Sequence, residues 1–158
     1  MSYQIADEPT ETSLGAYVVR PTAPLLAAMV CGSWLAWPWF AFNAIAMGSP
    51  TKRKELLIVA GAFVGTAVLA MLVIFLARGG YLPPGIPTRL AVLGIVTFKL
   101  SMTYYMSVVQ ERTFHVYEYY GGSVRNAGVV ISLGYYLRSA VIGVSDDPLW
   151  IIIVAGGI

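Results

Sequence analysis

The chain has 158 residues, 58% of them hydrophobic and 11% charged, with a net charge of +2 and a mean hydropathy of +0.72. A soluble domain of this size carries roughly a quarter charged residues, so an ordinary water-exposed globule is excluded and an integral membrane protein is expected. The small net charge and the lack of a basic patch interleaved with aromatics argue against a nucleic-acid partner. A single cysteine, Cys31, excludes an internal disulfide and a Cys-based metal site.

Residues 1–22 read as a polar N-terminal tail containing Asp7, Glu8 and Glu11. No basic stretch precedes a short apolar core there, so a secretory signal is not expected. Residues 23–158 read as one all-α transmembrane domain. Residues 24–47 run without a charge, and about 20 residues at 1.5 Å each cross a hydrocarbon core of roughly 30 Å. They form the first expected span, kinked at Pro38, which lacks an N–H and clashes with the preceding turn. Cys31 lies in this span, where it is expected to serve as a small buried hydrophobe.

Gly48-Ser49-Pro50 ends that helix, and Lys52-Arg53-Lys54 follows. Residues 56–77, between Glu55 and Arg78, are the second expected span. A breaker-rich turn over 79–87 leads into the third, 90–109, whose only charge is Lys99. Residues 110–126 carry Glu111, Arg112, His115, Glu118 and Arg125 together with Tyr117, Tyr119 and Tyr120. Such a segment is expected to lie along the membrane surface. Residues 127–144, interrupted by Arg138, are the fourth span. After Asp146-Asp147-Pro148, residues 149–158 give only about 15 Å of helix, so they read as a re-entrant, interfacial or partial span.

Lys and Arg counts set the expected topology. With the N-terminus outside, the cytoplasmic loops hold Lys52, Arg53, Lys54, Arg112 and Arg125, against Arg20, Arg78 and Arg89 on the other side. Five against three favours that orientation in a cell membrane.

Lys99 is the most informative residue. At the tenth position of its expected span it lies about 15 Å from either end, beyond the reach of a snorkelling lysine. A helical wheel puts Val92, Ile95, Val96, Met102, Thr103 and Met106 on its face and Thr97, Ser101 and Tyr104 opposite. No acid lies in any span. Lys99 must therefore lose its proton, find carbonyls, Asn43 or tyrosine hydroxyls on neighbouring helices, or meet an acid from outside the chain. Arg138 is expected to snorkel, with Tyr135 and Tyr136 to stack on it and Asp146 or Asp147 as an alternative partner. Asn43 is a candidate interhelical hydrogen-bonding group, worth about 1 kcal/mol. Trp34 and Trp37, three residues apart, suit either the wall of a cavity or interhelical packing.

Gly61-x-x-x-Gly65, with Ala62, Thr66 and Ala70 beside it, and the Gly128/Ser132 and Ser139/Gly143 pairs have the small-residue spacing that permits close helix packing. Glu111, His115 and Glu118 would share a face if their segment were helical, as a weak acid/base or metal site or, more simply, an interfacial polar face. No catalytic constellation, cofactor motif or metal site is expected.

The leading functional expectation is a small non-enzymatic accessory or structural subunit of a membrane assembly. Its partners are the lipid bilayer and either a membrane protein that supplies an acid to Lys99 or a second copy. A small channel or carrier using Lys99 as an anion or proton site is the first alternative. A membrane immunity or defence protein is the second.

Overall fold

The computed structural model describes residues 12–155. Among them are a 3-10 turn at Gly15–Tyr17 and six helices: α1 (Thr22–Val30), α2 (Ser33–Ala46), α3 (Lys52–Arg78), α4 (Ile86–Tyr119), α5 (Gly128–Ile142) and α6 (Pro148–Val154). Two of them, α3 and α4, are long and apolar enough to cross a membrane. At 27 and 34 residues they measure about 40 and 51 Å. Thus the expected spans 56–77 and 90–109 fall within helices of sufficient length, whereas those at 24–47 and 127–144 require correction.

Residues 24–47 are not one helix. The side-chain oxygen of Asn43, near the end of α2, accepts from the Val19 N–H at 3.0 Å, and its amide donates to the Val19 carbonyl at 3.0 Å. A continuous helix would hold residues 24 apart in sequence some 36 Å from each other. The chain therefore reverses, and α1 and α2 form an antiparallel hairpin. Ala23 and Ala27 pack with Trp39, and Ala28 with Ala36, Trp37 and Phe40. The reversal is at Gly32, with φ 115° and ψ 172°, a region open to glycine almost alone. Pro38, the expected kink, sits inside α2 without ending it.

This hairpin changes how the chain ends are arranged. Residues 19–22 and 47–52 both lie at the end where α3 starts and α4 finishes, called here the basic end. The opposite, or turn, end holds the α3–α4 connection. Residues 12–22 also differ from a free tail. Val18 and Val19 are buried, Val18 packs with Ala46, Met47 and Phe114, and the Thr12 hydroxyl donates to the Ala46 carbonyl. Asp7, Glu8 and Glu11 lie outside the described residues.

Residues 110–119 continue α4 rather than starting a surface segment. Their inward face explains this: Gln110, Thr113 and Phe114 are buried in register with Ile95, Lys99, Thr103, Met106 and Ser107, one stripe at helical spacing. The fourth expected span shortens to the 15 residues of α5, about 22 Å. α5 lies on the hairpin, and a Cβ at Gly134 would come within 2.4 Å of Leu35.

The terminal apolar segment takes the half-length form. Asp147 caps α6 by accepting from the Leu149 N–H at 2.9 Å, Pro148 fills the first helical position, and the helix ends after seven residues. The expected residues 156–158 lie outside the described residues. Along α3, Ala62, Thr66 and Ala70 are fully buried at four-residue spacing, which lets neighbouring helices approach closely.

Replacing Gly32 with Ala should cost about 1–3 kcal/mol, because a Cβ is not tolerated at this φ and ψ. A lowered unfolding midpoint in detergent checks it. An unchanged midpoint would show that the chain does not reverse at this residue.

Candidate functional site

The tips of the two half-length structures meet beside Lys99, the fourteenth of the 34 residues of α4. α2 starts there and α6 ends there. The last carbonyls of a helix have no intrahelical donor and carry the negative end of its dipole. The Lys99 ammonium supplies the missing donors, bonding the carbonyls of Ile152 at 2.8 Å, Ile153 at 3.1 Å and Ala155. The Ser33 hydroxyl, in the first turn of α2, donates to Ile153 at 2.6 Å. Of the partners expected for Lys99 within the chain, the described residues supply carbonyls on a neighbouring helix. Its three N–H donors are all used.

Below this junction a polar column follows the inward face of α4 toward the basic end. Thr103 donates to the Lys99 carbonyl at 2.7 Å and accepts from the Trp37 indole N–H at 3.1 Å. Ser107 donates to the Pro21 carbonyl at 3.3 Å. Gln110 donates to the Phe40 carbonyl at 2.7 Å and accepts from Asn43 at 3.3 Å. Asn43 thus makes three bonds, two that close the open end of the hairpin on Val19 and one that joins it to α4, more than the single interhelical contact expected of it.

Arg138 is placed by α5 against the other half-helix ending at the tip. Its guanidinium donates to the Val30 carbonyl at 3.3 Å, at the end of α1. The Trp34 indole donates to the neighbouring Cys31 carbonyl at 2.9 Å. Tyr135 and Tyr136 pack edge-on against each other, with ring centroids 6.0 Å apart. Among the described residues neither Asp146 nor Asp147 forms an ion pair with Arg138. The two cations that interrupt apolar runs of the sequence therefore do the same task. Each supplies donors to the carbonyl end of a helix that stops within the molecule.

The remaining candidates separate. Gly65 seats Phe98 of α4, since a Cβ would lie 2.8 Å from its ring, but Gly61 has open space before it. Gly128 and Ser132 are exposed on α5 and contribute no internal helix packing. Glu111 and His115 lie 3.8 Å apart on exposed α4 surface, while Glu118 pairs with Arg20 at 3.6 Å. The three are not brought to one point, and no group of His, Cys, Asp and Glu among the described residues is placed to hold a metal ion. Trp37 is packed edge-on to Phe63 with centroids 6.2 Å apart, so packing rather than a cavity wall is its part.

Two participants were missed. Gln110, the first residue of the expected surface segment, lies three helical turns from Lys99 on the same face. Glu55, the expected boundary of the second span, is buried. Its Oε1 accepts from the hydroxyls of Ser49 and, at 2.8 Å, Thr51, an arrangement that suits a carboxylate in the first turn of a helix.

Replacing Lys99 with Met should remove the ammonium donor from the Ile152 and Ala155 carbonyls and leave Ile153 with Ser33 alone. A hydrogen bond to a charged group is worth about 1.5–3 kcal/mol, so α6 should detach before the rest unfolds, read as faster amide exchange confined to 148–154. Uniform exchange across all helices would show that the junction is not a separate latch. No known protein family, curated protein or solved structure matches this chain.

Proposed function

We propose that the chain is a small non-catalytic integral membrane protein that serves as a structural or accessory subunit, docking through the outward face of α4. That face is the observation that carries the reading. Leu90, Gly94, Thr97, Ser101, Tyr104 and Val108 are all exposed at alternating four- and three-residue spacing, the geometry of a helix–helix seam. Gly94 has open space before it. Thr97 bonds the Leu93 carbonyl of its own helix at 3.0 Å, and small and hydroxylated residues in such a row are the usual contacts between membrane helices.

The bilayer placement rests on the surface. Only 17% of the most apolar window of α3 and 28% of that of α4 is buried, which supports lipid rather than a protein core as their surroundings. Phe63, Val68, Met71, Leu72 and Phe75 are exposed along α3, far more apolar surface than water tolerates in one patch. The hairpin also revises the charge balance behind the N-out expectation. Arg20 joins Lys52, Arg53, Lys54, Arg112 and Arg125 at the basic end, leaving Arg78 and Arg89 at the turn end. Six against two supports a cytoplasmic basic end, with the start of α1 on that side.

The carrier reading needs a lysine free to receive an anion, and all three donors of Lys99 are committed to carbonyls. An acidic partner for Lys99 is likewise unnecessary. An immunity protein would use the same outward face, with a toxin as its partner.

Two measurements test this reading. In a Cys31→Ala background, an impermeant maleimide should label Ser13→Cys and Lys52→Cys from one side and Arg78→Cys from the other. Labelling of Ser13→Cys and Lys52→Cys from opposite sides would refute the hairpin topology. In mild detergent the chain should purify with a membrane partner or as a dimer, and Gly94→Leu with Ser101→Leu should abolish this while the maleimide pattern persists. Wild-type protein that is monomeric and alone, even after crosslinking in the membrane, would sink the subunit reading.

A further inference from the structure

Two grooves flank α5 where it lies on the α1–α2 hairpin. One, of about 690 Å³, runs between α2 and α5 past Leu35, Pro38, Trp39, Phe42 and Val130. The other, of about 550 Å³, runs between α1 and α5 past Ala23, Leu26 and Ile131. Each volume lies in the range of roughly 300–1,000 Å³ typical of small-molecule sites. Arg125 and Asn126 line both, so the grooves fork from a single polar rim at the basic end.

We propose that these grooves hold one anionic phospholipid, with its phosphate at Arg125 and an acyl chain in each groove. The inference rests on the bilayer placement proposed above. Charge complementarity identifies the occupant. The Arg125 Nε–H donates to the Ala16 carbonyl at 3.0 Å, and its backbone N–H donates to Val18 at 2.8 Å. These bonds fix the residue on the rim and leave the two η nitrogens, with four N–H donors, without a protein acceptor among the described residues. Arg20 lines the second groove. Among the described residues its one acidic partner is Glu118, 3.6 Å away, with the two side chains 68% and 45% exposed, a pair too weak to compete with a phosphate that both arginines can bind.

The direction of the grooves excludes a purely water-soluble anion as the better fit. From Phe42 to Leu35 the first groove descends about 10 Å along α2 toward the tip of the hairpin, and its lining after the rim is apolar. Tyr17 and Trp39 line it, amphipathic rings of the kind that sit at headgroup level. A basic rim above two apolar troughs matches a charged headgroup above two hydrocarbon chains.

The test uses the full chain in phosphatidylcholine vesicles carrying a minor fraction of either phosphatidylglycerol or phosphatidylcholine with brominated acyl chains, read by tryptophan quenching. Brominated phosphatidylglycerol should quench with about fivefold higher relative affinity than the brominated zwitterionic lipid, the effect of one well-placed arginine. Trp39→Phe should remove the selective component. Arg125→Gln should abolish selectivity and Arg125→Lys should retain it, which separates lost charge from lost folding. Inorganic phosphate at millimolar concentration should not displace the lipid; displacement would assign the rim to a free anion instead. Equal quenching by the two lipids in protein that resists carbonate extraction overturns the lipid site alone. Protein that carbonate removes overturns the bilayer placement and the lipid site together.

Discussion

A helix that ends inside an apolar interior leaves carbonyl groups without donors, and the rest of this structure is arranged around that constraint. Each unpaired polar backbone group in hydrocarbon costs several kcal/mol. Two helices, α1 and α6, carry their C-terminal ends to the same place, about halfway along α4. Lys99 and Ser33 supply donors to α6, while Arg138 and Trp34 supply them to the end of α1. The turn itself contributes too, since the N–H groups of Cys31 and Gly32 both bond the Ala27 carbonyl. With these caps in place, irregular backbone is tolerable at that depth; without them the hairpin would have to become a span or leave the interior.

The same constraint accounts for the division of α4 into two unlike faces. Its inward face carries Lys99, Thr103, Ser107 and Gln110, each bonded to a carbonyl of another segment or of α4 itself. These bonds are to backbone rather than to other side chains, so the column reads the ends and bends of its neighbours. Losing Lys99 strips donors from carbonyls at the end of α6, a loss of about 1–3 kcal/mol, whereas the carbonyls met by Thr103 and Gln110 lie inside α4 and α2 and keep their intrahelical donors. An ionisable residue in the membrane is usually a functional site by default. Here the geometry gives Lys99 and Arg138 a sufficient structural occupation, which moves the search for function to the exposed seam and to the basic rim.

What the sequence disclosed followed from how each feature is encoded. Long charge-free runs report α3 and the middle of α4 directly, because hydropathy is a property of composition. The hairpin is encoded otherwise. A 24-residue apolar run looks the same whether it crosses the interior or turns back within it, and only the backbone angles at Gly32 distinguish the two. Pro38 drew attention because its effect on a helix follows from its covalent structure, yet a proline can be accommodated on an exposed helix face. Gln110 was lost by ending the helix at the first cluster of charges, although the wheel that placed Thr103 and Met106 beside Lys99 already pointed to it. The partner of Lys99 could not be found among side chains at all, because it is the backbone of residues 152–155.

Asn43 shows how little of such a structure depends on any one strong contact. Its amide group bonds Val19 in both directions and Gln110, so it closes the hairpin and fixes it to α4 at the basic end. Lys99 and Ser33 do the equivalent at the tip. The hairpin is therefore held at both ends by polar groups and along its length by alanines and aromatics that pack without directional preference. This division sets the order in which parts can move. α6 meets the column through its terminal carbonyls and α5 through the Trp150 indole, which donates to the Val141 carbonyl at 3.0 Å, and its seven residues bury just Val154, so it is held by fewer bonds than the hairpin, which Asn43 and Gln110 anchor. The hairpin cannot leave without first breaking bonds at both of its ends.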